Sequence, residues 1–342
     1  MGFYPSDALV HEAQRRGIEV HPPDVNQSEV ECEIELDGRE AGVAGREARH
    51  GGTKQGQVRI GLGYVRGVRE QEVAAIVSAR HAGGRFVSLS NLASRAGASG
   101  SSLELLAWSG SCDSLVEGVD AASARRVALW QLGVAGPGRK VPGGVQLALP
   151  LDLPAPPALR GLSGWEAMLA DYGTTGLTAG THPLSLLRAR LPAGAVTSRD
   201  LETLEHGRRV TVGGLVVARQ RPGTANGIVF VLLEDEHGTI NLIVPSQVYE
   251  RHRLIVRTEP LMLVEGKLER FAAAGGAINV LVDRVGSIAA PDQLLAEVKD
   301  FSMLDEQVRQ GLAEQKAATE AEAEDFRAVA PPVMSFASGR RR

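Results

Sequence analysis

The sequence predicts an α+β multidomain protein, in which a helix-hairpin-helix α-helical domain is followed by a five-stranded OB-fold β-barrel. The barrel is predicted by five apolar runs of β-branched character between Arg208 and Ile288, with a helical segment between the third and the fourth. The helical domain is predicted by amphipathic segments joined by glycine turns upstream of the barrel. The five runs are Val210–Leu215, Ile228–Leu233, Thr239–Val244, Pro260–Leu268 and Ala277–Val285, and the helical segment is Ser246–Leu254.

The composition limits the class of protein. The chain has 342 residues, enough for about two or three domains, and 43% of them are hydrophobic. The net charge of −4 excludes nucleic-acid binding by bulk charge, so binding would need local basic surfaces. Cys32 and Cys112 are far apart, which argues against a disulfide framework and favours a reducing compartment. No apolar run approaches the length of about 18 residues that spans a membrane. We therefore expect a cytoplasmic protein with no membrane partner.

Glutamates alternate with apolar residues from Glu29 to Leu36. The alternation predicts a half-buried strand with one acidic, solvated face. Because side chains along one flat strand do not converge on a point, this face does not predict a metal site.

Two helix–glycine turn–helix units in tandem are predicted upstream of the linker. The first turn is Arg66-Gly67-Val68-Arg69, before a helix predicted over Glu70–Ala82, and the second is Gly97–Gly100. A glycine turn lets the backbone approach a phosphate, and the N–H groups of the next helix point at it. Such contacts position nucleic acid without reading its sequence. A helical bundle without a ligand is the alternative interpretation.

Motifs of catalytic sites are missing from the sequence. It contains no paired-cysteine zinc site, His-Glu-x-x-His motif, Walker loop or Gly-x-Ser-x-Gly elbow. Two-metal nucleotidyl transfer needs carboxylates brought together in a cleft, whereas the carboxylates here lie on a strand face, in a turn or in the acidic segment Asp292–Arg327. We therefore predict no catalytic residue, no metal site and no cofactor in this chain.

Nine short motifs spread along the chain carry a resemblance to a known family. They are Gly2–Pro5, Ala13–Val20, Pro23–Asn26, Gly61–Gly67, Asp171–Tyr172, Thr174–Leu177, His182–Pro183, Arg219–Ala225 (with Phe230, Leu233–Asp235 and Gly238–Thr239) and Ser335–Arg342. These motifs resemble those of bacterial C-family DNA polymerases. The run that begins at Arg219 is the most specific, and it resembles the error-prone, alpha-subunit-like polymerases of damage-induced mutagenesis.

The resemblance covers nearly the whole chain but only the C-terminal part of that family. The phosphoesterase-like and palm regions of the family have no counterpart here, and the resemblance implies magnesium only for the palm. The chain departs from the family at Arg69, where a glycine is usual, and at Asn226, where a basic residue is frequent.

The resemblance and the composition together predict six segments. They are a remnant of the polymerase fingers with a loop at 1–57, a tandem helix-hairpin-helix DNA-binding domain at 58–135, a Pro/Gly-rich linker at 136–160, a helical connecting segment at 161–206, the OB-fold nucleic-acid-binding domain at 207–290, and an acidic helix with a flexible basic tail at 291–342.

The resemblance implies a DNA-binding module of an error-prone polymerase that is inactive by itself. Its partners would be primer-template DNA, held at the first hairpin turn, and the single-stranded template, held on the barrel. For Phe230, packing in the core is an equal alternative. The predicted contacts are Arg66, Gly67, Val68 and Arg69 in the turn, and Arg219, Arg221, Phe230, Asn241 and Arg270 on the barrel.

The linker contains a short motif, Gln146-Leu147-Ala148-Leu149-Pro150-Leu151. It resembles the hexapeptide by which bacterial polymerases dock on the sliding clamp, and this implies partner-docking roles for Gln146, Leu147, Leu149 and Leu151. An apolar linker that packs on its own protein is the alternative.

Two other functions fit the same sequence. One is a free-standing OB-fold protein that binds single-stranded DNA or tRNA, since anticodon-binding barrels have a similar strand pattern. The other is a protein-interaction scaffold, in which the barrel binds other subunits of a mutagenesis complex.

Overall fold

A computed structural model describes residues 5–36, 56–135, 139–141, 144–146, 153–271, 277–289, 329–331 and 333–337 of the chain. These ranges form two units, one of residues 10–180 and one of residues 1–9 with 181–342. No helix among the described residues is long and apolar enough to cross a membrane.

Short helices dominate the unit of residues 10–180. A small sheet precedes them, in which β3 pairs in parallel with β1 and antiparallel with β2. Two 3-10 helices, Leu62–Tyr64 and Asp113–Leu115, join the longer elements. The elements are α1 (Ser6–Arg15, which begins in the other unit), β1 (Val20–His21), β2 (Glu33–Leu36), β3 (Gly56–Arg59), α2 (Glu70–Gly83), α3 (Leu89–Arg95), α4 (Gly100–Trp108), α5 (Ala121–Ala135), β4 (Arg139–Val141), β5 (Gly144–Gln146) and α6 (Gly164–Thr175).

Local sequence signals explain where α6 begins and ends. Ser163 and Glu166 form a capping box, in which each side chain accepts a hydrogen bond from the backbone N–H of the other residue. Gly176 then ends the helix in the left-handed conformation, with φ of +77°, a conformation that glycine adopts without steric cost. Earlier in the same unit, the buried faces of α2, α3, α4 and α5 surround one apolar core that includes Ile76, Leu92 and Leu106.

The prediction of a half-buried strand with a solvated acidic face from Glu29 to Leu36 is wrong. Only Glu33–Leu36 is a strand, and Ile34 in it is 73% exposed. Two of the glutamates pair with buried arginines instead: Glu29 contacts Arg80, and Glu35 contacts Arg59. The alternation did not predict these ion pairs, because the arginine partners of Glu29 and Glu35 lie far away in the sequence.

The second unit contains a five-stranded barrel, as predicted. The strand order is β6-β7-β8-β10-β9, and β9 pairs back with β6 to close the barrel. β8 and β10 are parallel, and the other neighbouring pairs of the barrel are antiparallel. The elements are α7 (Pro183–Leu187), α8 (Ser198–Leu201), β6 (Arg209–Arg221), β7 (Val229–Glu234), β8 (Thr239–Val244), α9 (Ser246–Arg251), α10 (Arg253–Thr258), β9 (Leu261–Phe271) and β10 (Ala277–Ser287).

One buried carboxylate ties the start of α8 to the turn between β7 and β8. Asp235 is fully buried and accepts hydrogen bonds of 2.6 Å from both the backbone N–H and the hydroxyl of Ser198. It also accepts from the N–H groups of His237 and Gly238 within its own turn. Because a buried carboxylate is costly unless its acceptor positions are filled, this set of donors holds the connecting segment against the barrel.

A sixth strand, β11 (Met334–Ala337), extends the sheet beyond the barrel. It pairs in parallel with Ala218–Arg221 of β6. β9 covers β6 only from Arg209 to Leu215, so the remaining part of β6 has an edge with unpaired backbone groups. β11 covers that edge, and Val333 just before it packs against the barrel core. We did not predict this strand from the sequence.

The close packing of β9 against β10 gives a test of the barrel. A Cβ atom on Gly266 would lie 2.3 Å from the carbonyl oxygen of Leu281 and 2.8 Å from the side chain of Val280. We expect Gly266→Ala to lower the free energy of unfolding by about 1–3 kcal/mol, as overpacking does, in urea unfolding experiments. Gly286→Ala on β10 is the matched control, because a Cβ atom there would lie 3.9 Å from the carbonyl oxygen of Leu263, an ordinary van der Waals distance. Equal losses in both variants would contradict the steric explanation.

Candidate nucleic-acid interface

The first hairpin turn lies on the surface of its unit. Arg66, Gly67 and Arg69 are exposed, and Val68 is half-buried. Gly67 has φ of +81°, so the turn requires the left-handed conformation that glycine supplies. A Cβ atom at this position would also lie 2.9 Å from the side chain of Leu105 in α4. The turn is therefore held close to α4 while its outer side faces solvent.

The turn leads directly into α2, whose N-cap residue is Arg69. The side chain of Arg69 makes no capping hydrogen bond, and its backbone N–H donates to the carboxylate of Glu72 in the first turn of the helix. The guanidinium groups of Arg66 and Arg69 make no hydrogen bond or ion pair within the described part of the chain. N–H groups at a helix start together with unengaged arginine donors form a site suited to a phosphate. The φ of −78° at Arg69 does not require glycine there.

The second hairpin turn has the same sequence pattern but a different environment. Ala98 and Ser99 are buried, and a Cβ atom on Gly97 would lie 3.6 Å from Ala75 in α2. Ser99 caps α4 by accepting from the backbone N–H of Ser102. The expectation that both tandem turns present donors to phosphate is therefore wrong for the second turn, because packing against α2 covers it.

A carboxylate of this chain fills the donor positions of the second turn. Glu72, in the first turn of α2, accepts 3.0 Å from the backbone N–H of Ser99 and 2.6 Å from the hydroxyl of Ser102. Burial would raise the pKa of Glu72, but the hydrogen bonds from Ser102 and Ser99 outweigh burial and hold the pKa below its usual value. Glu72 thus stays ionised and occupies the place that a phosphate would need.

The outer face of the barrel presents two rows of side chains across neighbouring strands. The strand register sets the order within each row, and the period of two along each strand sets which residues face outward. Both rows combine apolar and amide groups with one charged residue of β9. The first row is Gln220, Phe230, Ile243, Leu281 and Lys267, and the second is Leu232, Asn241, Asn279 and Glu269.

Phe230 and Asn241 lie where a bound base could reach them. Phe230 is 38% exposed and lies between Gln220 and Ile243 in the outer row, so packing in the core is excluded for this ring. Asn241 is exposed beside Asn279. An exposed ring next to amide groups can stack on a base and donate or accept hydrogen bonds at its edge.

Arg219 and Arg270 bind backbone carbonyls of the barrel unit. Arg219 is half-buried, and its guanidinium donates to the carbonyl oxygen of Glu259 at the end of α10. Burial lowers the pKa of Arg219 to about 10, which leaves it charged at neutral pH. Arg270 donates to the carbonyl oxygens of Leu201, Glu202 and Leu204. Both arginines thus donate hydrogen bonds to carbonyl groups of the protein itself. The geometry therefore gives no support to the prediction that Arg219 and Arg270 contact the template.

Arg221 lies at one end of the barrel beside α9. Its guanidinium carbon is 4.4 Å from the ring centroid of Tyr249, and its Nη2 atom is 3.6 Å from the carboxylate of Glu250. The contact with the buried Tyr249 ring is a cation–π interaction. In the adjacent turn, Asn226 has φ of +50°, which asparagine tolerates better than most residues. This conformation gives a reason for asparagine where the family frequently has a basic residue.

Sequence reasoning missed the apolar neighbours of Phe230. Leu232 could have been found from the alternation along β7, since it follows Phe230 by two residues. Ile243 and Leu281 come from strands whose register with β7 the sequence does not show. For the linker motif, Gln146 ends β5, whereas Leu147, Leu149 and Leu151 lie outside the described residues.

Comparisons with known proteins agree with both halves of this description. A family described as "Helix-hairpin-helix motif" matches residues 17–123, and one described as "OB-fold nucleic acid binding domain" matches residues 210–288. An error-prone DNA polymerase of Pseudomonas fluorescens is 40% identical over 272 residues, which are 79% of this chain and 25% of the relative. One from Anaeromyxobacter dehalogenans is 39% identical over 307 residues, which are 88% of this chain and 25% of the relative.

The chain belongs to the error-prone DNA polymerase family. It matches the C-terminal part of these polymerases and spans about a quarter of the length of the curated relatives above. The predicted fold class, a helix-hairpin-helix domain before an OB-fold barrel, is confirmed. Both matched domains support nucleic-acid binding by this part of the polymerase.

A solved structure also shows similarity. The asparaginyl-tRNA synthetase from Pyrococcus horikoshii is 22% identical, with a TM-score of 0.25, over 28% of this chain and 23% of that chain.

The contact between Glu72 and the second turn gives a prediction about stability. We expect Glu72→Gln to lower the free energy of unfolding at pH 7 by about 1–3 kcal/mol, because hydrogen bonds to a buried charged acceptor are lost. The folded-state pKa of Glu72 lies below the ordinary value of 4.5. The stabilisation is therefore present above about pH 4.5 and is lost as the pH falls through the folded-state pKa.

Urea unfolding at pH 7 and at pH 3 measures this effect. The difference between the wild-type chain and Glu72→Gln should be largest at pH 7 and should shrink as the pH falls below 4.5 towards 3. Glu70→Gln is the matched control, since Glu70 is in the same helical turn and is exposed. A difference that persists unchanged at pH 3 would show that the ionised carboxylate is not the cause.

Proposed function

We propose that this chain is the DNA-holding portion of an error-prone polymerase that acts in translesion synthesis. The first hairpin turn grips the duplex backbone of primer-template, and the outer face of the barrel holds single-stranded template. The observation that carries the proposal is the start of α2, where the Arg69 side chain makes no capping hydrogen bond, beside the unengaged guanidinium groups of Arg66 and Arg69. The same proposal includes the DNA-polymerising activity of the whole polymerase, for which magnesium would be bound in the palm.

The duplex contact follows from the difference between the two hairpin turns. Only the first turn combines exposure, a left-handed glycine and arginines with no partner among the described residues. The second turn is filled by the carboxylate of Glu72. One turn that contacts phosphates carries no base contacts, so the proposed grip is independent of DNA sequence.

The single-strand contact rests on stacking more than on charge. Arg209 and Arg284 on the barrel surface face carboxylates of Asp283 and Glu265, at 3.1 and 3.9 Å. Arg219 and Arg270 are bound to carbonyls. What the outer face offers to a single strand is therefore the ring of Phe230, with amide groups next to it and one exposed cation, Lys267, in the same row. We propose a weak, sequence-tolerant contact that follows the duplex held at the hairpin.

A second function is favoured by the same outer face. Its apolar residues Phe230, Leu232, Ile243 and Leu281 would also suit a protein partner, such as another subunit of a mutagenesis complex. Docking of the motif that begins at Gln146 on a sliding clamp remains a prediction, since the motif lies almost entirely outside the described residues.

Loss of the two hairpin arginines tests the duplex contact. We expect the double variant Arg66→Ala/Arg69→Ala to bind duplex DNA more weakly and to lower the slope of log affinity against log salt by about 2, since each lost phosphate contact removes about 0.9. Fluorescence anisotropy with a labelled duplex over a series of salt concentrations measures both values. Arg85→Ala is the control, as Arg85 is an exposed arginine of the same unit. An unchanged slope in the double variant would refute the hairpin contact.

Loss of the exposed ring distinguishes the two functions of the barrel. We expect Phe230→Ala to weaken binding of single-stranded DNA by about 1–3 kcal/mol, the usual contribution of one stacked base. Leu254→Ala is the control, because Leu254 is a 76% exposed apolar residue on α10. If single-strand affinity is unchanged while binding to a partner subunit falls, the face is a protein-docking surface.

A further inference from the structure

The guanidinium group of Arg66 rests on Gly176, the residue that ends α6. A Cβ atom on Gly176 would lie 2.0 Å from Nη2 and 2.6 Å from Cζ of Arg66. No side chain larger than that of glycine can occupy position 176 while Arg66 keeps this place. Gly176 is in the left-handed conformation, with φ of +77°, and its N–H donates to the carbonyl oxygen of Tyr172.

α6 also holds the backbone of the first hairpin turn. The backbone N–H of Arg66 donates to the carbonyl oxygen of Thr174 at 2.7 Å. The carbonyl groups at the C-terminal end of a helix carry partial negative charge, which favours a cation at this end. Arg66 is thus fixed at two points, while its guanidinium hydrogen-bond donors have no partner among the described residues.

We propose that Gly176 is a positioning residue of the DNA site. Because Gly176 has no side chain, the guanidinium group of Arg66 can lie directly against its Cα. The end of α6 therefore sets the position in which Arg66 of the first hairpin turn would contact a phosphate. The inference rests on the proposed function of that turn. It adds a segment about 110 residues downstream of the turn to the duplex-binding site.

The variant Gly176→Asn separates two roles of Gly176, its contact with the guanidinium group of Arg66 and its left-handed backbone conformation. Asparagine tolerates the left-handed conformation better than most residues, and the three atoms nearest to its Cβ would all belong to the guanidinium group of Arg66, at the end of a flexible side chain. We therefore expect the variant to keep its fold and to displace Arg66. Gly118→Asn is the matched control: Gly118 has φ of +75° in the same unit, and a Cβ atom there has no atom within 4 Å.

The decisive experiment is a double-mutant cycle on the full chain. Duplex DNA affinity is measured over a salt series for wild type, Arg66→Ala, Gly176→Asn, the double variant and Gly118→Asn. We expect Arg66→Ala to lower the salt slope by about 1. Gly176→Asn should lower affinity and slope in the same direction, and it should have no further effect once Arg66 is absent. Gly118→Asn should bind as wild type does.

Two binding results would overturn the proposal. One is a wild-type salt slope in Gly176→Asn when Arg66→Ala lowers it. The other is an effect of Gly176→Asn that persists in the Arg66→Ala background, because that effect would act through something other than Arg66.

A measurement without DNA separates this inference from the proposed function. In the wild-type chain, nuclear Overhauser effects between the Hα protons of Gly176 and the Nε–H of Arg66 should be present. Their absence would contradict the proposed contact between Gly176 and Arg66. The Arg66 Nε–H resonance should move in Gly176→Asn and stay in place in Gly118→Asn. If Arg66→Ala leaves DNA binding unchanged, the proposed contact between the hairpin and DNA is refuted. The resonances still show whether Gly176 positions the guanidinium group of Arg66.

Discussion

The contact of the Glu72 carboxylate with the start of α4 is the interaction on which the helical unit depends. It joins the first turn of α2 to the second hairpin turn through the backbone N–H of Ser99 and the hydroxyl of Ser102. An ionised acceptor placed at a helix N-terminus stabilises the helix and satisfies donors that would otherwise be left unpaired. The same contact closes one of two similar turns to outside anions. A tandem pattern thus yields a single open turn.

In the barrel, too, groups of the protein itself occupy side chains that could otherwise bind a ligand. Arg219 and Arg270 reach carbonyl groups at the end of α10 and after α8, where they fasten the connecting elements to the strands. A guanidinium group that already donates to buried carbonyls would have to break those contacts to bind a phosphate. The outer face is therefore left with an exposed ring, amides and Lys267, and the proposed single-strand contact should depend less on salt than the contact at the hairpin, which has two arginines.

How much of the site the sequence predicts differs between the hairpin and the barrel. Arg66, Gly67 and Arg69 could be found because a tight turn and the helix after it are local features. On the barrel, Phe230 and Asn241 were found on strands of the right type, but their neighbours depend on register. The choice between Phe230 in the core and on the surface also needed the barrel to be closed, since a period of two does not show which face is inside.

The sequence by itself determined the main elements of the barrel and of the helical unit: five strands with helical structure after the third, and glycine turns between short helices. These features depend on contacts between residues close in the chain. Only the tertiary structure decided which polar groups remain available to a ligand. The partners that engage them are distant in sequence, as Glu72 is from Ser99, Arg270 from Leu204, and Gly176 from Arg66. A local pattern shows that a charge is present, but the fold decides what it faces.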